Sequence, residues 1–168
     1  MSKYLKPKDL ERIGRWVKKL DSYMLLDRPS DDIVLGVLNL PYKYIGSGRH
    51  RIVFDLDNGY VLKVARMGKG IQRIRNEVDL YHSVPFDLKI HLCKIADYGE
   101  GWVVMKKLDQ KVPRNEQFYK KTKIMHDKFS HFGMKLSDVT DGKKAKMGNV
   151  RLSKGKKIVI IDYGNIHA

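Results

Sequence analysis

Apolar and polar residues alternate through the segment 44–66. Ile52 and Phe54 alternate with Val53 and Asp55, which is the two-residue period of a pleated strand. This segment therefore predicts β-structure.

A tight turn and a second strand follow the first. Asn58-Gly59 predicts a short hairpin turn in which both residues have positive φ. Residues 60–65 are apolar except for Lys63. Because a buried ammonium group without a partner is costly, Lys63 needs a compensating charge or ligand.

Apolar side chains at steps of three and four residues predict helices over residues 8–24, 69–83 and 115–134. A shorter helix that ends at Pro41 is expected over residues 33–40, with Ser30 as its N-cap. This apolar run is too short for its periodicity to separate a helix from a buried strand. The first helix is expected to pack on the core, and the alternative is a docking helix for a partner.

Further strands are predicted at residues 92–98 and 102–106, with a short strand directly after Asn149. A buried strand over residues 158–161 ends just before Asp162. Taken together, the elements predict an α+β fold.

The chain is strongly basic, with 34 Lys and Arg against 19 Asp and Glu and a net charge of +15. This balance favours a polyanionic partner such as a nucleotide, a nucleic acid or an acidic protein surface, and the alternative is that the charge serves solubility. No apolar run is long enough for a transmembrane helix, and the charged N-terminus is not a secretory signal. The single cysteine, Cys93, excludes a disulfide framework and favours a reducing, cytoplasmic location.

Two groups of residues suggest chemistry. Gly46-Ser47-Gly48 offers backbone N–H groups at the expected tip of the first hairpin, and Lys63 follows on the next strand. Such an arrangement binds phosphate, although a plain hairpin with a glycine turn is the alternative.

The second group contains Asn149 and Asp162, each beside a predicted strand. Carboxylate and amide oxygens are suitable ligands for Mg²⁺, which also takes oxygens from nucleotide phosphates. Taken separately, each of these residues is also an ordinary turn residue.

These segments resemble the protein-kinase fold over residues 42–165. The matching segments are GSG at 46–48 followed by Val53, YVLK at 60–63, Glu77, Asn149 and DYG at 162–164. The family's third loop glycine is replaced by Arg51, and the phenylalanine of its D-F-G motif by Tyr163.

The resemblance implies a function for each matching residue. The residues that would hold ATP are Gly46, Ser47, Gly48, Val53, Lys63 and the strand around Met105. By the same resemblance, Glu77 would orient Lys63. The alternative is that Glu77 is an ordinary solvent-facing residue of its helix. Asp138 would accept the proton of the substrate hydroxyl, and Asn149 and Asp162 would hold Mg²⁺.

The chain departs from the family in two further ways. Asp138 and Asn149 are separated by a long basic stretch instead of four residues, and Asp141 is a second candidate base with the wrong spacing. The sequence stops shortly after residue 164. The part of the kinase fold that it covers is similar to that of small kinase-like proteins of bacteriophages. The resemblance therefore implies a kinase-like N-lobe with an antiparallel sheet and a helix (42–112) and a truncated helical C-terminal part (113–168). A helical extension (1–41) is expected to precede them.

Two functions are consistent with this pattern. The first is a minimal ATP- and Mg²⁺-dependent phosphotransferase acting on a protein or a small molecule. The alternative is a catalytically impaired, kinase-derived protein that acts by contact on a host protein or nucleic-acid complex.

Overall fold

A computed structural model describes residues 2–22, 28–136 and 147–166 of the chain. The chain divides into two compact units. The first unit contains Met1–Arg75 and Ile95–Lys107, and the second contains Asn76–Lys94 and Leu108–Ala168.

Helices and strands occur in nearly the predicted places. The helices of the described residues are α1 (Pro7–Ser22), α2 (Asp31–Leu38), α3 (Gly68–Ser83), α4 (Phe86–Lys89) and α5 (Glu116–His131). The strands are β1 (Lys43–Ser47), β2 (Arg51–Asp55), β3 (Tyr60–Ala65), β4 (Ile95–Gly99), β5 (Trp102–Lys106), β6 (Val150–Leu152) and β7 (Ile158–Ile160). A 3₁₀ turn, Met147–Asn149, precedes β6.

The first unit is built on a five-stranded antiparallel sheet in the order β1-β2-β3-β5-β4. Strand β3 lies at its centre, and every residue of β3 after Tyr60 is buried. The predicted alternation in β2 is confirmed, because Ile52 and Phe54 are buried whereas Val53 and Asp55 are half-buried. The mixed helix and sheet architecture confirms the predicted α+β fold.

The hairpin between β2 and β3 exists, but its predicted turn geometry is wrong. Positive φ occurs at Asp57 and Gly59, not at Asn58. Instead, Oδ1 of Asn58 accepts a hydrogen bond of 3.1 Å from the backbone N–H of Tyr60. The Asp57 N–H is likewise bonded to Oδ1 of Asp55 at 2.8 Å. These side-chain bonds stabilise a longer loop over residues 56–59 in place of a two-residue turn.

The glycine segment also differs from its predicted place at a hairpin tip. Gly46 and Ser47 belong to β1, where they pair with Val53 and Ile52 on β2. Because the strand ladder continues to Ser47, the tip of this hairpin is formed by residues 48–50.

Helix α1 packs on the sheet of the first unit, as predicted. The indole N–H of Trp16 donates to the carbonyl of Ala65 at 2.8 Å. A Cβ atom at Gly101, which has a φ of +80°, would lie 2.5 Å from Val17 of α1. The helix and the β4–β5 turn are therefore in direct contact.

Helix α2 begins at the predicted N-cap. The Ser30 hydroxyl accepts the backbone N–H of Ile33 at 3.4 Å. The helix ends at Asn39, which adopts a left-handed conformation. The short apolar run is therefore a helix, as expected, and Asn39 ends it before Pro41 is reached.

The second unit contains α4, α5 and the two-stranded sheet of β6 and β7. Asn115 caps α5 by accepting the N–H of Phe118 at 3.1 Å. The predicted strand over residues 92–98 starts later than expected, because β4 begins at Ile95. Cys93 instead donates its N–H to the carbonyl of Ile160 on β7 at 2.9 Å.

Candidate functional site

The β1–β2 hairpin of the first unit, here called the glycine hairpin, contains Gly46 and Gly48. It is held by contacts from other segments and by one bond across its own tip. The Ser47 hydroxyl donates to a carboxylate oxygen of Asp31 at 2.8 Å. The carbonyl of Gly48 accepts from the Arg66 guanidinium at 3.3 Å. The Gly48 N–H donates to the carbonyl of Arg51, at 2.9 Å, across the tip.

Asp31, at the first position of α2, is central to these contacts. The same carboxylate oxygen accepts the Tyr44 hydroxyl at 2.7 Å, and the other lies 2.6 Å from the Arg66 guanidinium. The hydrogen bonds from Tyr44 and Ser47, together with the cation of Arg66, lower the pKa of Asp31 to about 2. The resemblance to kinases begins after α2, so nothing in the sequence indicated this role for Asp31.

Lys63 lies in the middle of β3. Its side chain is only 8% exposed, and its strand neighbours are Val53 on β2 and Val103 on β5. Met105, on the strand that the resemblance assigns to ATP, is buried in β5. These positions agree with the expectation of a buried lysine on the strand after the glycine hairpin.

Arg51, which replaces a glycine of the family motif, begins β2. It pairs with Ala65 of β3 and is buried, with 7% of its surface exposed. A side chain of this size is therefore accommodated within the first unit at the position where the family has no side chain.

Glu77 on α3 is completely buried in the structure, so the alternative of a solvent-facing glutamate is wrong. Within the second unit, Oε2 of Glu77 accepts the backbone N–H of Tyr163 at 3.0 Å. The expected pairing of Glu77 with Lys63 stays a prediction.

Tyr163 is fixed at both ends within the second unit. Its side chain is fully buried, and its hydroxyl donates to the carbonyl of Cys93 at 2.8 Å. A buried tyrosine needs such an acceptor, which explains how tyrosine fits where the family has phenylalanine. The next residue, Gly164, accepts a long hydrogen bond of 3.4 Å from the side chain of Asn76 on α3.

The two predicted Mg²⁺ ligands lie at the same end of the β6–β7 sheet. Val150 pairs with Ile160, and the N–H of Ile161 donates to the carbonyl of Asn149 at 2.9 Å. Asn149 therefore directly precedes the paired Val150, and Asp162 follows Ile161, the residue that is bonded to Asn149. Asn149 is half-buried and Asp162 is exposed.

The chemistry of these two residues fits Mg²⁺. They offer one amide and one carboxylate oxygen, and Mg²⁺ in nucleotide sites takes its other ligands from water and phosphate. Within residues 2–136 and 147–166, as far as they are described, no group of three or more His, Cys, Asp or Glu side chains could hold a metal ion.

The expected catalytic base, Asp138, lies outside the described residues. The same holds for the alternative base, Asp141. Their assignment stays a prediction from the sequence.

No known protein family and no curated protein sequence matches this chain. One solved structure that it resembles is WbdD in a co-crystal with the kinase inhibitor LY294002, with a TM-score of 0.54 and 19% sequence identity. The fold is kinase-like. The match covers 74% of this chain but 33% of that one, so this chain spans about a third of the length of WbdD.

Among the helices that the structure describes, none combines the length and the apolar character that crossing a bilayer demands.

Proposed function

We propose that this protein binds ATP and Mg²⁺ and transfers a phosphoryl group to a protein or a small molecule. The observation that carries the proposal is the hydrogen bond between the buried Glu77 carboxylate and the N–H of Tyr163. This bond fixes the residue next to Asp162, and phosphoryl transfer depends mainly on such positioning.

Nucleotide binding is assigned to the first unit. The backbone of the glycine hairpin would contact the phosphates, and the Lys63 ammonium would offset their charge. The position of Lys63 supports this assignment, because it lies in β3, the strand that follows the glycine hairpin. Backbone groups near Met105 would contact the adenine.

Asn149 and Asp162 would hold the metal ion from the end of the β6–β7 sheet. Mg²⁺, when bound, neutralises charge on the transferred group. Asp138 would accept the hydroxyl proton of the acceptor substrate. The kinase-like fold and the hydrogen bond from Ile161 to Asn149, which joins the two segments, support the assignment of Asn149 and Asp162.

Incubation of the protein with ATP labelled in its terminal phosphate, together with cell lysate, tests this function. Transfer of label should occur with the unchanged protein and disappear in Asp162→Ala. The matched control is Asp87→Ala, which removes an exposed carboxylate of α4 and should leave the transfer unchanged. Transfer that is equal in all three proteins would come from a contaminating kinase and would contradict the proposal.

A second function is favoured by the net charge of +15. A kinase-derived protein without turnover would use its basic surface to bind a host protein or a nucleic acid by contact. A salt-sensitive gel shift with nucleic acid that is unchanged in Lys63→Ala and Asp162→Ala would favour this alternative. A bacteriophage origin and a cytoplasmic location stay predictions from the sequence.

A further inference from the structure

Basic side chains converge at the tip of the β1–β2 hairpin in the first unit. Arg49 and His50 form the tip, directly before β2. The carbonyl of His50 accepts the N–H of Arg66 at 3.0 Å. A Cβ atom added to Gly70 would lie 2.1 Å from this carbonyl, so the hairpin tip lies directly against the first turn of α3.

The adjoining part of α3 adds two more cations. Lys69 and Arg73 are four residues apart and therefore share one side of the helix. The first turn of α3 contains no acidic residue. In the part of the chain that the structure describes, no ion pair involves Arg49, Lys69 or Arg73.

The imidazole of His50 lies among these charges. Its Nδ1 atom is buried and has no hydrogen-bond partner among the described residues. Burial lowers the pKa of His50, and the charges of Arg73, Arg49, Arg51 and Lys69 lower it further. Cations that act together on one ring form a convergent cluster, unlike the extended stripe that follows a nucleic-acid backbone.

We propose that Arg49, Lys69 and Arg73, grouped around His50, bind a phosphoryl group that carries two negative charges. Arginine forks match the oxygens of such a group, and the lysine adds a further positive charge. The buried Nδ1 atom of His50 does not contact the anion, but the protonation of the ring responds to the anion's charge. The proposal uses none of the residues assigned to ATP, so it stands independently of the proposed function.

The chemistry distinguishes a phosphate monoester from a phosphodiester. A monoester or free phosphate offers up to two charges at one point, whereas each linkage of a nucleic acid offers only one. Because the cations converge on one point, the cluster favours free phosphate or a phosphate monoester, such as phosphoserine, over a phosphodiester.

The test follows the histidine ring signals by NMR during a pH titration, with inorganic phosphate and with sodium chloride of equal ionic strength. Phosphate should raise the pKa of His50 relative to chloride, because a bound anion favours the imidazolium form. Calorimetry should show binding of phosphate that weakens about tenfold or more in Arg73→Ala, since a charge-assisted contact is lost. The double variant Lys120→Ala/Lys123→Ala, which removes two exposed lysines of α5, should bind as the unchanged protein does.

A phosphoserine peptide and a DNA duplex without terminal phosphates identify the source of the group. Binding of the peptide as well as phosphate supports recognition of a phosphorylated side chain, and binding of phosphate alone supports a free anion site. Tighter binding of the duplex, lost in Arg73→Ala, would overturn the proposal in favour of a nucleic-acid backbone. An unchanged pKa of His50 in phosphate would also overturn it. Lys63→Ala should leave phosphate binding intact, which separates this site from the proposed ATP site.

Discussion

The backbone N–H of Tyr163 donates a hydrogen bond of 3.0 Å to Oε2 of Glu77, which is fully buried on α3. These residues are 86 positions apart in the sequence. The bond connects the helix glutamate of the kinase-like pattern to the segment that contains Asp162.

Removing this acceptor should destabilise the protein. In Glu77→Ala the Tyr163 N–H loses a charged partner in a buried place, which costs about 1–3 kcal/mol of the free energy of unfolding. Glu77→Gln keeps an acceptor oxygen and should lose less. Chemical denaturation measures both, and Asp79→Asn on the exposed side of the same helix is the control. Equal stability of Glu77→Ala and the unchanged protein would show that the bond contributes nothing.

The tyrosine in place of the family's phenylalanine should also be stabilising here. Tyr163→Phe leaves the carbonyl of Cys93 without its donor, and the expected loss is about 1 kcal/mol in the free energy of unfolding. The exposed Tyr119→Phe on α5 serves as the control in the same denaturation experiment. A more stable Tyr163→Phe would mean that the hydroxyl is tolerated in the core and is not used.

The contacts of Asp31 should stabilise the glycine hairpin. Asp31→Asn removes the charge that faces Arg66 and should lower the Tm near neutral pH more than Asp32→Asn does, because the exposed Asp32 forms none of the described ion pairs. The folded-state pKa of Asp31 is about 2, below its usual 3.8. Its contribution is therefore present above the usual value and is lost as the pH falls towards the folded-state value.

The difference in Tm between the unchanged protein and Asp31→Asn should accordingly shrink as the pH is lowered through this range. If this Tm difference stays constant as the pH falls, the effect of Asp31→Asn comes from the changed shape of the side chain and not from the loss of its charge.

Protonation of His91 should make the second unit less stable in mild acid. One ring nitrogen of His91 lies 2.9 Å from the carbonyl of Ile158, and the other lies 3.2 Å from the ammonium of Lys128. Burial lowers the pKa of His91 from its usual 6.5, and Lys128 and Lys157 lower it further against the opposing effect of the carbonyl. Because the unfolded chain binds a proton at higher pH than the folded chain, stability falls as the pH drops below 6.5.

Thermal unfolding at neutral pH and at about pH 5 measures this dependence. The change in Tm should be smaller in His91→Gln than in the unchanged protein, and His131→Gln, at an exposed position, is the control. An identical pH dependence in His91→Gln would exclude a contribution from this ring.

Local patterns predicted most of the helices and strands because each depends on residues close in sequence. The period of β2, the amphipathic spacing of α1 and the Ser30 cap all follow from neighbouring side chains. The wrong turn at Asn58-Gly59 has the same origin, since the dipeptide signal ignores the side-chain bonds that stabilise a longer loop.

Contacts between distant residues could not be predicted in this way. Asp31 bonds to Ser47, 16 residues away, and Tyr163 bonds to Cys93, 70 residues away. The resemblance to kinases predicted roles for Glu77 and Asp162, which stay predictions, but it did not predict the bond from Glu77 to Tyr163. The resemblance also does not explain why Arg51 is buried, because the family's loop motif has a glycine at that position.

The most direct test of nucleotide binding is thermal unfolding with and without Mg·ATP. At a ligand concentration about a hundred times the Kd, binding stabilises the folded state by about 2.7 kcal/mol, which raises the Tm of a chain of this size by roughly 5–10 °C. The rise should be lost in Lys63→Ala and kept in Lys43→Ala, which removes an exposed lysine of β1. An unchanged Tm of the natural sequence in Mg·ATP, or a rise that Lys63→Ala retains in full, would contradict the proposed nucleotide site.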